Sequence, residues 1–244
     1  GNVLQAHWAD DEPIASSSTS TTKTPVRPWI GVISTTGVYG DHQGAWVNES
    51  STTLSKHPYL AWEEAWRQFG VATGCRVCIF RCAGIYGPTR SALHTLYRQV
   101  RAVNQSNSSS KLSSPKVPPV TNRIHESDIA SAVLASMMMS VENKESVFEI
   151  YNLSDNMPAS RQDVFVYANQ LFLDNGIDIP VRDKPTTTNV STTTSQRAKR
   201  RGKDIKRINN RKMREKLLSS LDFPTYREGL EDILQQPGTP WCKS

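Results

Sequence analysis

The sequence has no run of about 18 apolar residues, so it lacks a segment that could cross a membrane as a helix. No basic stretch followed by an apolar one stands near Gly1, so no secretory signal peptide is visible. Because the chain starts with Gly rather than Met, we expect a processed or cut end. These absences predict a soluble intracellular protein of the cytoplasm or an organelle stroma, with no membrane partner.

Cysteine is also scarce, with four residues in the chain. Cys75, Cys78 and Cys82 are spaced like metal ligands, but they lie in a β-branched and aromatic run that is typical of a strand. In a strand Cys75 points away from the other two, which are roughly 13 Å apart and too far from each other for one zinc ion. We therefore predict buried, reduced thiols, a reducing compartment and no metal site.

Apolar residues make up only 37% of the chain, and Ser/Thr-rich stretches at 16–23, 105–114 and 185–195 account for much of the polarity. Such stretches are typical of insertions rather than packed elements. We therefore predict a flexible N-terminal segment (1–27), an insertion (105–119) and a basic disordered insertion (183–205). The folded parts expected between and after them are 28–104, 120–182 and a pair of C-terminal helices (206–236).

The net charge of +6 comes from one segment, Arg197–Lys216, which holds eleven Lys/Arg and two acidic residues. This segment raises the hypothesis of binding to nucleic acid or an anionic surface, because released counterions favour contact with phosphates. The segment has no aromatic residue on which bases could stack. We expect a solvated insertion, and nucleic acid is the less favoured partner.

Strand and helix patterns alternate along the chain, which favours an α/β fold. Trp29–Ser34 is a short apolar run typical of a buried parallel strand, 58–69 has helical spacing that ends at Gly70, and Arg76–Cys82 is the next strand. Together they predict a right-handed βαβ unit with parallel strands. Further helices are predicted at 92–103, 128–139, 164–172, 210–221 and 226–234, and a third strand at 148–153.

Polar residues gather directly after the two strands of this unit, in Ser34–Asp41 and in Ala83–Pro88. Ligands of parallel sheets bind outside the carboxyl ends of the strands, so both clusters are candidate sites, although plain turns have the same composition. The spacing of the glycines in Thr36–Gly44 is similar to that of the glycine-rich motif that binds dinucleotides. The following residues have no helical apolar pattern, so we reject this stretch as a phosphate loop.

These motifs resemble the extended or atypical short-chain dehydrogenase/reductase superfamily, in its NAD-dependent epimerase/dehydratase-like branch. The likeness is carried by Ser34-Thr35-Thr36-Gly-Val-Tyr-Gly-Asp, Pro58-Tyr59, Ile85-Tyr86-Gly87-Pro88, Arg123-Ile-His125-x-x-Asp128 and Tyr151-Asn152-Leu-Ser-Asp155, and by the closing Lys206–Asn210 and Pro224–Leu230. It covers about residues 28 to 236, interrupted by the insertions. Trp46 and Glu49 are candidates to border a substrate cleft.

The resemblance implies a partial Rossmann fold with a parallel sheet, in its C-terminal portion, and a small C-terminal subdomain on the substrate side. It implies NAD or NADP as cofactor and a small-molecule substrate, such as a nucleotide sugar or a similar hydroxyl or carbonyl compound. The implied catalytic residues are Thr35 and Tyr59. The implied cofactor-binding residues are Ser34, Thr36, Tyr86, Gly87 and Pro88.

Two departures from the family pattern qualify this expectation. The family has a lysine four residues after its tyrosine, where this chain has Glu63, and a carboxylate near a phenol disfavours the phenolate that the mechanism uses. The family's glycine-rich pyrophosphate loop also has no counterpart before Ser34. We therefore expect an N-terminal truncation or a relative without the cofactor half, with weak or no NAD(P) binding, and a non-catalytic family member stays an alternative.

The basic segment provides a test between the two functional hypotheses. Replacing Arg197, Lys199, Arg200 and Arg201 by Ser should leave the thermal unfolding midpoint unchanged if the segment is a solvated insertion. Any binding of the wild-type chain to duplex DNA, followed by fluorescence anisotropy, should vanish near physiological salt. Tight, sequence-dependent binding at that salt would instead favour a nucleic-acid binder.

Overall fold

The computed structural model describes residues 28–103, 119–139, 147–177 and 205–242. The strands are β1 (Trp29–Thr35), β2 (Trp46–Val47), β3 (Arg76–Cys82), β4 (Gly84–Tyr86), β5 (Val120–Thr121), β6 (Arg123–His125), β7 (Phe148–Leu153), β8 (Ala159–Ser160) and β9 (Arg207–Ile208). The helices are α1 (Pro58–Thr73), α2 (Ala92–Val103), α3 (Glu126–Met138), α4 (Arg161–Asp174), α5 (Arg211–Lys216) and α6 (Tyr226–Gln235). The segment 1–27 and nearly all of the two predicted insertions lie outside the described residues.

A parallel three-stranded sheet in the order β1-β3-β7 forms the centre of the fold. β1 pairs with β3 from Trp29 opposite Arg76 to Thr35 opposite Cys82, so the carboxyl ends of the two strands coincide. α1 connects them, which confirms the predicted βαβ unit and the α/β class. Three further pairings of two or three residues each lie around the sheet in the described part of the chain: β2 with β9, β4 with β6, and β5 with β8.

One face of the sheet is covered by α3 and α5. Cys78, Phe80 and Cys82 of β3 lie there in one apolar cluster with Ala132 of α3 and Met213 of α5. Cys78 and Cys82 are free and buried, as predicted, whereas Cys75 is free but only half-buried because it precedes the strand. Burial raises the pKa of the Cys82 thiol to about 12, so it stays protonated. No group of three or more His, Cys, Asp or Glu side chains that could hold a metal ion occurs among the described residues.

α1 continues beyond the position at which the sequence predicted its end. Gly70 lies inside the helix, where a Cβ atom would stand 2.9 Å from Val77 Cγ2 and 3.1 Å from the Cys75 carbonyl oxygen. The glycine therefore allows the helix to approach β3 closely, and Gly74 ends the helix in the left-handed conformation at φ 72°. α5, in contrast, ends at Lys216 instead of the predicted Leu221.

A second core is formed by α2, α4 and α6 around Leu93, Phe172, Leu230 and Ile233. Tyr86, at the end of β4, also lies in this core and joins it to the sheet region. A Cβ atom at position 229 would lie 2.2 Å from the Tyr86 hydroxyl, so glycine is required where α6 crosses the tyrosine. This core therefore combines the C-terminal helix α6 with α2 and α4, which the sequence analysis assigned to the Rossmann part of the chain.

β1 has a strand neighbour on one side only within the described residues, because β3 is its only partner there. Ile33 of β1 is 51% exposed, and Trp62 and Phe69 of α1 are 67% and 44% exposed. The apolar surface beside β1 is therefore uncovered in this part of the chain. Among the described residues, no helix has the length and apolarity needed to cross a membrane.

Ionisable side chains are buried where the sheet region meets the C-terminal helices. Asp128, in the first turn of α3 as predicted, accepts hydrogen bonds from the backbone N–H groups of Asp222 (2.8 Å) and Phe223 (3.3 Å). Asp155 follows β7 and accepts a hydrogen bond from the N–H of Met157 through Oδ1, while its buried Oδ2 has no protein partner. Burial raises the pKa of Asp155 to about 7, against the opposing effects of the Met157 hydrogen bond and of Arg123.

This raised pKa predicts a dependence of stability on pH. The folded chain keeps the Asp155 proton up to about pH 7, whereas the unfolded chain loses it near pH 4, so this group lowers the free energy of unfolding as pH rises between these values. Asp155→Asn removes the titration and keeps the Oδ1 acceptor. Between pH 4.5 and 8 the wild type should lose a few kcal/mol relative to this variant in urea unfolding. The exposed Asp174→Asn is the control, and parallel curves for wild type and Asp155→Asn would contradict the prediction.

Candidate active site

Thr35 marks the carboxyl end of β1 and begins a 3-10 turn over Thr36–Tyr39. Its Oγ1 accepts a hydrogen bond from the N–H of Gly37 at 3.0 Å, which fixes the side chain at the strand end. The chain then turns at Gly40 (φ 68°), and the strand β2 follows Gly44 without a helix in between. As the sequence pattern predicted, no α-helix opens directly after these glycines.

His57, Pro58 and Tyr59 begin α1 beside this turn. The His57 side chain caps the helix by accepting the N–H of Tyr59, and Pro58 occupies the first helical position. A Cβ atom at Gly37 would lie 3.2 Å from Thr35 Oγ1 and 3.5 Å from His57 Nε2. The His57 ring in turn lies 5.8 Å from the ring of the partly exposed Tyr59. The two predicted catalytic residues thus both neighbour His57, a residue that the sequence reasoning did not select.

Glu63, where the resemblance implied a lysine, is buried against the sheet. Arg81 donates hydrogen bonds to both of its oxygens, from Nη2 to Oε2 at 2.6 Å and from Nε to Oε1 at 3.1 Å. The hydroxyl of Ser34 donates to Oε1 at 2.6 Å. The carboxylate is therefore bound by groups of β1 and β3, and its orientation is set by them.

The network continues from Arg81 across the end of the sheet. Arg81 Nη1 donates to the hydroxyl of Tyr39 at 3.0 Å, and that hydroxyl donates to Asn152 Oδ1 at 2.7 Å. Ser34, Arg81 and Asn152 are opposite one another in the strand register, so they form a row on one face of β1, β3 and β7. Burial raises the pKa of Tyr39, against the opposing charge of Arg81, and the phenol stays protonated.

Glu49, a candidate cleft residue, extends this network on the β7 side. Its Oε1 accepts the backbone N–H of Asn152 at 2.8 Å. The sequence reasoning selected Ser34 from this group but missed Tyr39, Arg81 and Asn152. An arginine within an otherwise apolar predicted strand was the available signal, because a buried charge requires a buried partner.

The second polar cluster lies against the C-terminal helices. Tyr86 is buried, its hydroxyl donates to the carbonyl of Thr225 at 3.4 Å, and its ring packs edge-on against His125. Gly87 is in close contact with Glu126, whose Cδ would lie 2.3 Å from a Cβ atom at this position, and Pro88 is partly buried. Among the other predicted cofactor-binding residues, Thr36 is buried in the 3-10 turn. A cofactor role for Ser34, Thr36, Tyr86, Gly87 and Pro88 stays a prediction.

An open groove of about 800 Å³ lies on the far side of the Asn152 network. Asn152 Nδ2 donates to the carbonyl of Asn209 at 3.5 Å, and Asn209 lines the groove. Trp46, the other candidate cleft residue, also lines it and is 58% exposed. The remaining polar lining includes Asp155, Asn156, Asn210, Arg211, Arg214 and Ser219. Glu215 also lines the groove and accepts a hydrogen bond from Arg211 at 2.5 Å, so side chains of both charges border it.

The fold and the polar strand ends together define a Rossmann-type α/β protein. No protein-family model and no curated protein sequence matches the chain. Solved structures do match it. A conserved protein of unknown function from Silicibacter pomeroyi is 31% identical with a TM-score of 0.60, over 84% of this chain and 66% of that one. A putative NAD-dependent epimerase/dehydratase from Methylobacillus flagellatus is 22% identical with a TM-score of 0.54, over 84% and 63%.

The UDP-glucuronic acid 4-epimerase of Bacillus cereus, solved with UDP-glucuronic acid and NAD, is 20% identical with a TM-score of 0.60, over 83% of this chain and 59% of that one. The resemblance inferred from the sequence is confirmed at the level of the fold, which the chain shares with the putative NAD-dependent epimerase/dehydratase and with the UDP-glucuronic acid 4-epimerase. The chain spans 59 to 66% of the length of the structures that it matches.

The ion pair of Glu63 with Arg81 predicts a large difference between two neighbouring substitutions. Glu63→Gln leaves the buried Arg81 charge without a counterion and should lower the free energy of unfolding by about 3 kcal/mol or more. Glu64→Gln breaks the adjacent but exposed pair with Arg67 and should have little effect. Urea unfolding of both variants measures the difference. Equal midpoints would show that the buried pair does not hold the strand ends together.

Proposed function

We propose that this chain is the substrate-side part of an NAD(P)-dependent oxidoreductase or epimerase of the extended short-chain dehydrogenase class. The observation that carries the proposal is the position of Thr35, with its fixed hydroxyl, beside His57 and Tyr59 at the carboxyl end of a parallel strand. Ligands of such sheets bind outside this edge. A hydroxyl and a phenol there are suited to bind a substrate oxygen and exchange its proton.

The described residues suit the nicotinamide end of the cofactor but not its pyrophosphate. Thr35 and the partly exposed Tyr59 would border the nicotinamide and the substrate, because ligands of such sheets bind at this edge. The first strand of the described sheet, in contrast, leads into a 3-10 turn, not into a helix whose N-terminus could receive the pyrophosphate. The nicotinamide would accept or give the hydride, while Thr35 would orient the substrate oxygen and Tyr59 would exchange its proton.

The uncovered side of β1 indicates where the pyrophosphate-binding half of the cofactor site would lie. β1 has an unpaired edge within the described residues, and Ile33 beside it is exposed. Because the chain spans only 59 to 66% of its structural neighbours, we infer that further strands beside β1 would supply the pyrophosphate loop. In this chain the residues before Ser34 contain no glycine-rich loop.

The groove supports a nucleotide sugar or a similar anionic compound as substrate. Arg214 suits a phosphate or carboxylate group, whereas Arg211 is paired with Glu215, and Trp46 offers a face for a base or sugar ring. Asn152 connects the groove with the network that holds the end of β1. The B. cereus neighbour was solved with UDP-glucuronic acid, which makes this compound a rational first ligand.

The cofactor part of the proposal predicts weak binding by the chain itself. Without a pyrophosphate loop and its helix N-terminus, the 244-residue chain should bind NAD or NADP no better than about 1 mM, which is roughly −4 kcal/mol. Isothermal titration calorimetry measures this. A chain extended upstream by βα units with a glycine-rich loop should bind at least ten-fold more tightly. Micromolar binding by the present chain would mean that the cofactor site lies elsewhere.

Hydride transfer by the extended chain then tests the activity, with UDP-sugars as substrates and nicotinamide absorbance as the signal. Thr35→Val has the same shape without the hydroxyl and should lower turnover by about 100-fold. The matched control is Thr73→Val, at the exposed end of α1. An extended chain that binds the cofactor but shows no transfer would support the non-catalytic alternative.

A further inference from the structure

Asp155 is a buried carboxyl group with one oxygen that no described protein group uses. The residue is 1% exposed and lines the groove outside the carboxyl end of β7. Its Oδ1 accepts the N–H of Met157 at 3.2 Å, whereas Oδ2 has no hydrogen-bond partner among the described residues. A buried acceptor without a hydrogen bond costs free energy, so this atom suits a donor that comes from outside the protein.

Asn210 holds the segment around Asp155 against the start of α5. Its Nδ2 donates to the carbonyl of Ser154 at 2.7 Å and to Asn156 Oδ1 at 2.9 Å. Both amide hydrogens of Asn210 are thereby used within the protein. Oδ2 of Asp155 remains the unused acceptor at this end of the groove.

Arg214 supplies a positive charge one helical turn away. Its backbone N–H donates to the carbonyl of Asn210 at 3.1 Å, which places it about 6 Å further along α5. The exposed Arg214 lines the groove, and in the part of the chain that the structure describes no carboxylate forms an ion pair with it. Its neighbour Arg211 is already paired with Glu215 at 2.5 Å. Arg214 is therefore the cation that suits an anionic ligand group.

The two side chains together set the chemistry of a ligand. The Asp155 carboxylate repels an anionic group but accepts a hydroxyl proton, whereas the planar guanidinium of Arg214 binds carboxylate and phosphate groups. A ligand that satisfies both needs a hydroxyl and an anionic group a few ångströms apart. A sugar ring with an anionic substituent has this arrangement, and the exposed indole of Trp46 offers a surface for its C–H face.

We propose that the groove binds the ring of an anionic sugar, a sugar acid or a sugar phosphate, with one hydroxyl donating to Asp155 Oδ2 and the anionic group on Arg214. This assignment rests on the proposed function and narrows its substrate class. The hydrogen bond to Oδ2 forms in a buried environment, which strengthens it. Asp155 then selects for the sugar hydroxyl, and Arg214 selects for the charged substituent.

The first measurement compares three sugars with the wild-type chain. D-glucuronic acid, glucose 1-phosphate and glucose are titrated at pH 7.5, above the pKa of about 7 of Asp155, and binding is followed in ¹H–¹⁵N spectra. The N–H signals of Met157 and Asn210 should shift to saturation. Each anionic sugar should bind at least five-fold more tightly than glucose, and the stronger of the two identifies the preferred charged group. Absence of sugar binding, or equal affinity for all three, would overturn the inference.

The second measurement removes each contact in turn. Asp155→Asn keeps the Oδ1 acceptor but places an N–H where Oδ2 was, so both anionic sugars should bind at least five-fold more weakly. Arg214→Gln should reduce their advantage over glucose to less than two-fold. Asp174→Asn and Lys216→Gln remove charges outside the groove and should bind like wild type. Urea unfolding checks that all variants are folded. Unchanged affinity in Asp155→Asn, or an equal loss in Lys216→Gln, would contradict the assignment.

Calorimetry with UDP-glucuronic acid separates this inference from the proposed function. The two groove variants should lose affinity for this compound as they do for the free sugar. If wild type and both groove variants bind it equally, the sugar contacts are wrong while the nucleotide-sugar substrate stands. If the sugar contacts are found but the extended chain binds its cofactor without transferring hydride, the proposed activity is wrong while the sugar site stands.

Discussion

The carboxyl ends of three strands depend on the buried ion pair between Glu63 and Arg81. Transfer of either charge out of water is costly, so each requires the other and additional hydrogen bonds. Ser34 supplies one of these to the carboxylate, and Tyr39 accepts one from the guanidinium. Because these groups belong to β1, the 3-10 turn, α1 and β3, the pair fixes where the first helix lies against the sheet.

The same ion pair determines which side chains at the start of α1 lie next to Thr35. A carboxylate that accepts three hydrogen bonds from β1 and β3 is turned toward the sheet. The opposite side of the helix start then presents His57 and Tyr59 next to Thr35. Glu63, where the resemblance implied a lysine, thus also helps to hold the strand ends around the candidate site.

The long elements could be predicted because each is marked by its own apolar pattern. Trp29–Ser34, Arg76–Cys82 and 148–153 are short runs rich in apolar, aromatic or β-branched residues, and the structure has strands there. The pairings of β2 with β9 and β5 with β8 could not be predicted, because a strand of two residues is too short to show an alternating pattern of apolar residues. Within the site, Thr35 could be predicted from its sequence motif. The contact of Tyr39 with Asn152 spans 113 residues and follows from the strand register, which no local pattern contains.

The open edge of β1 has a further consequence for the behaviour of the chain in solution. An edge strand exposes unpaired backbone N–H and C=O groups that can pair with a strand of another molecule. Proteins commonly prevent this with a lysine, a proline or a bulge within the edge strand, yet Trp29–Thr35 contains no charged residue and no proline. Its exposed Ile33 adds apolar surface to the same edge. A covering segment on this side would therefore serve colloidal stability as much as ligand binding, and without it the chain is expected to self-associate as its concentration rises.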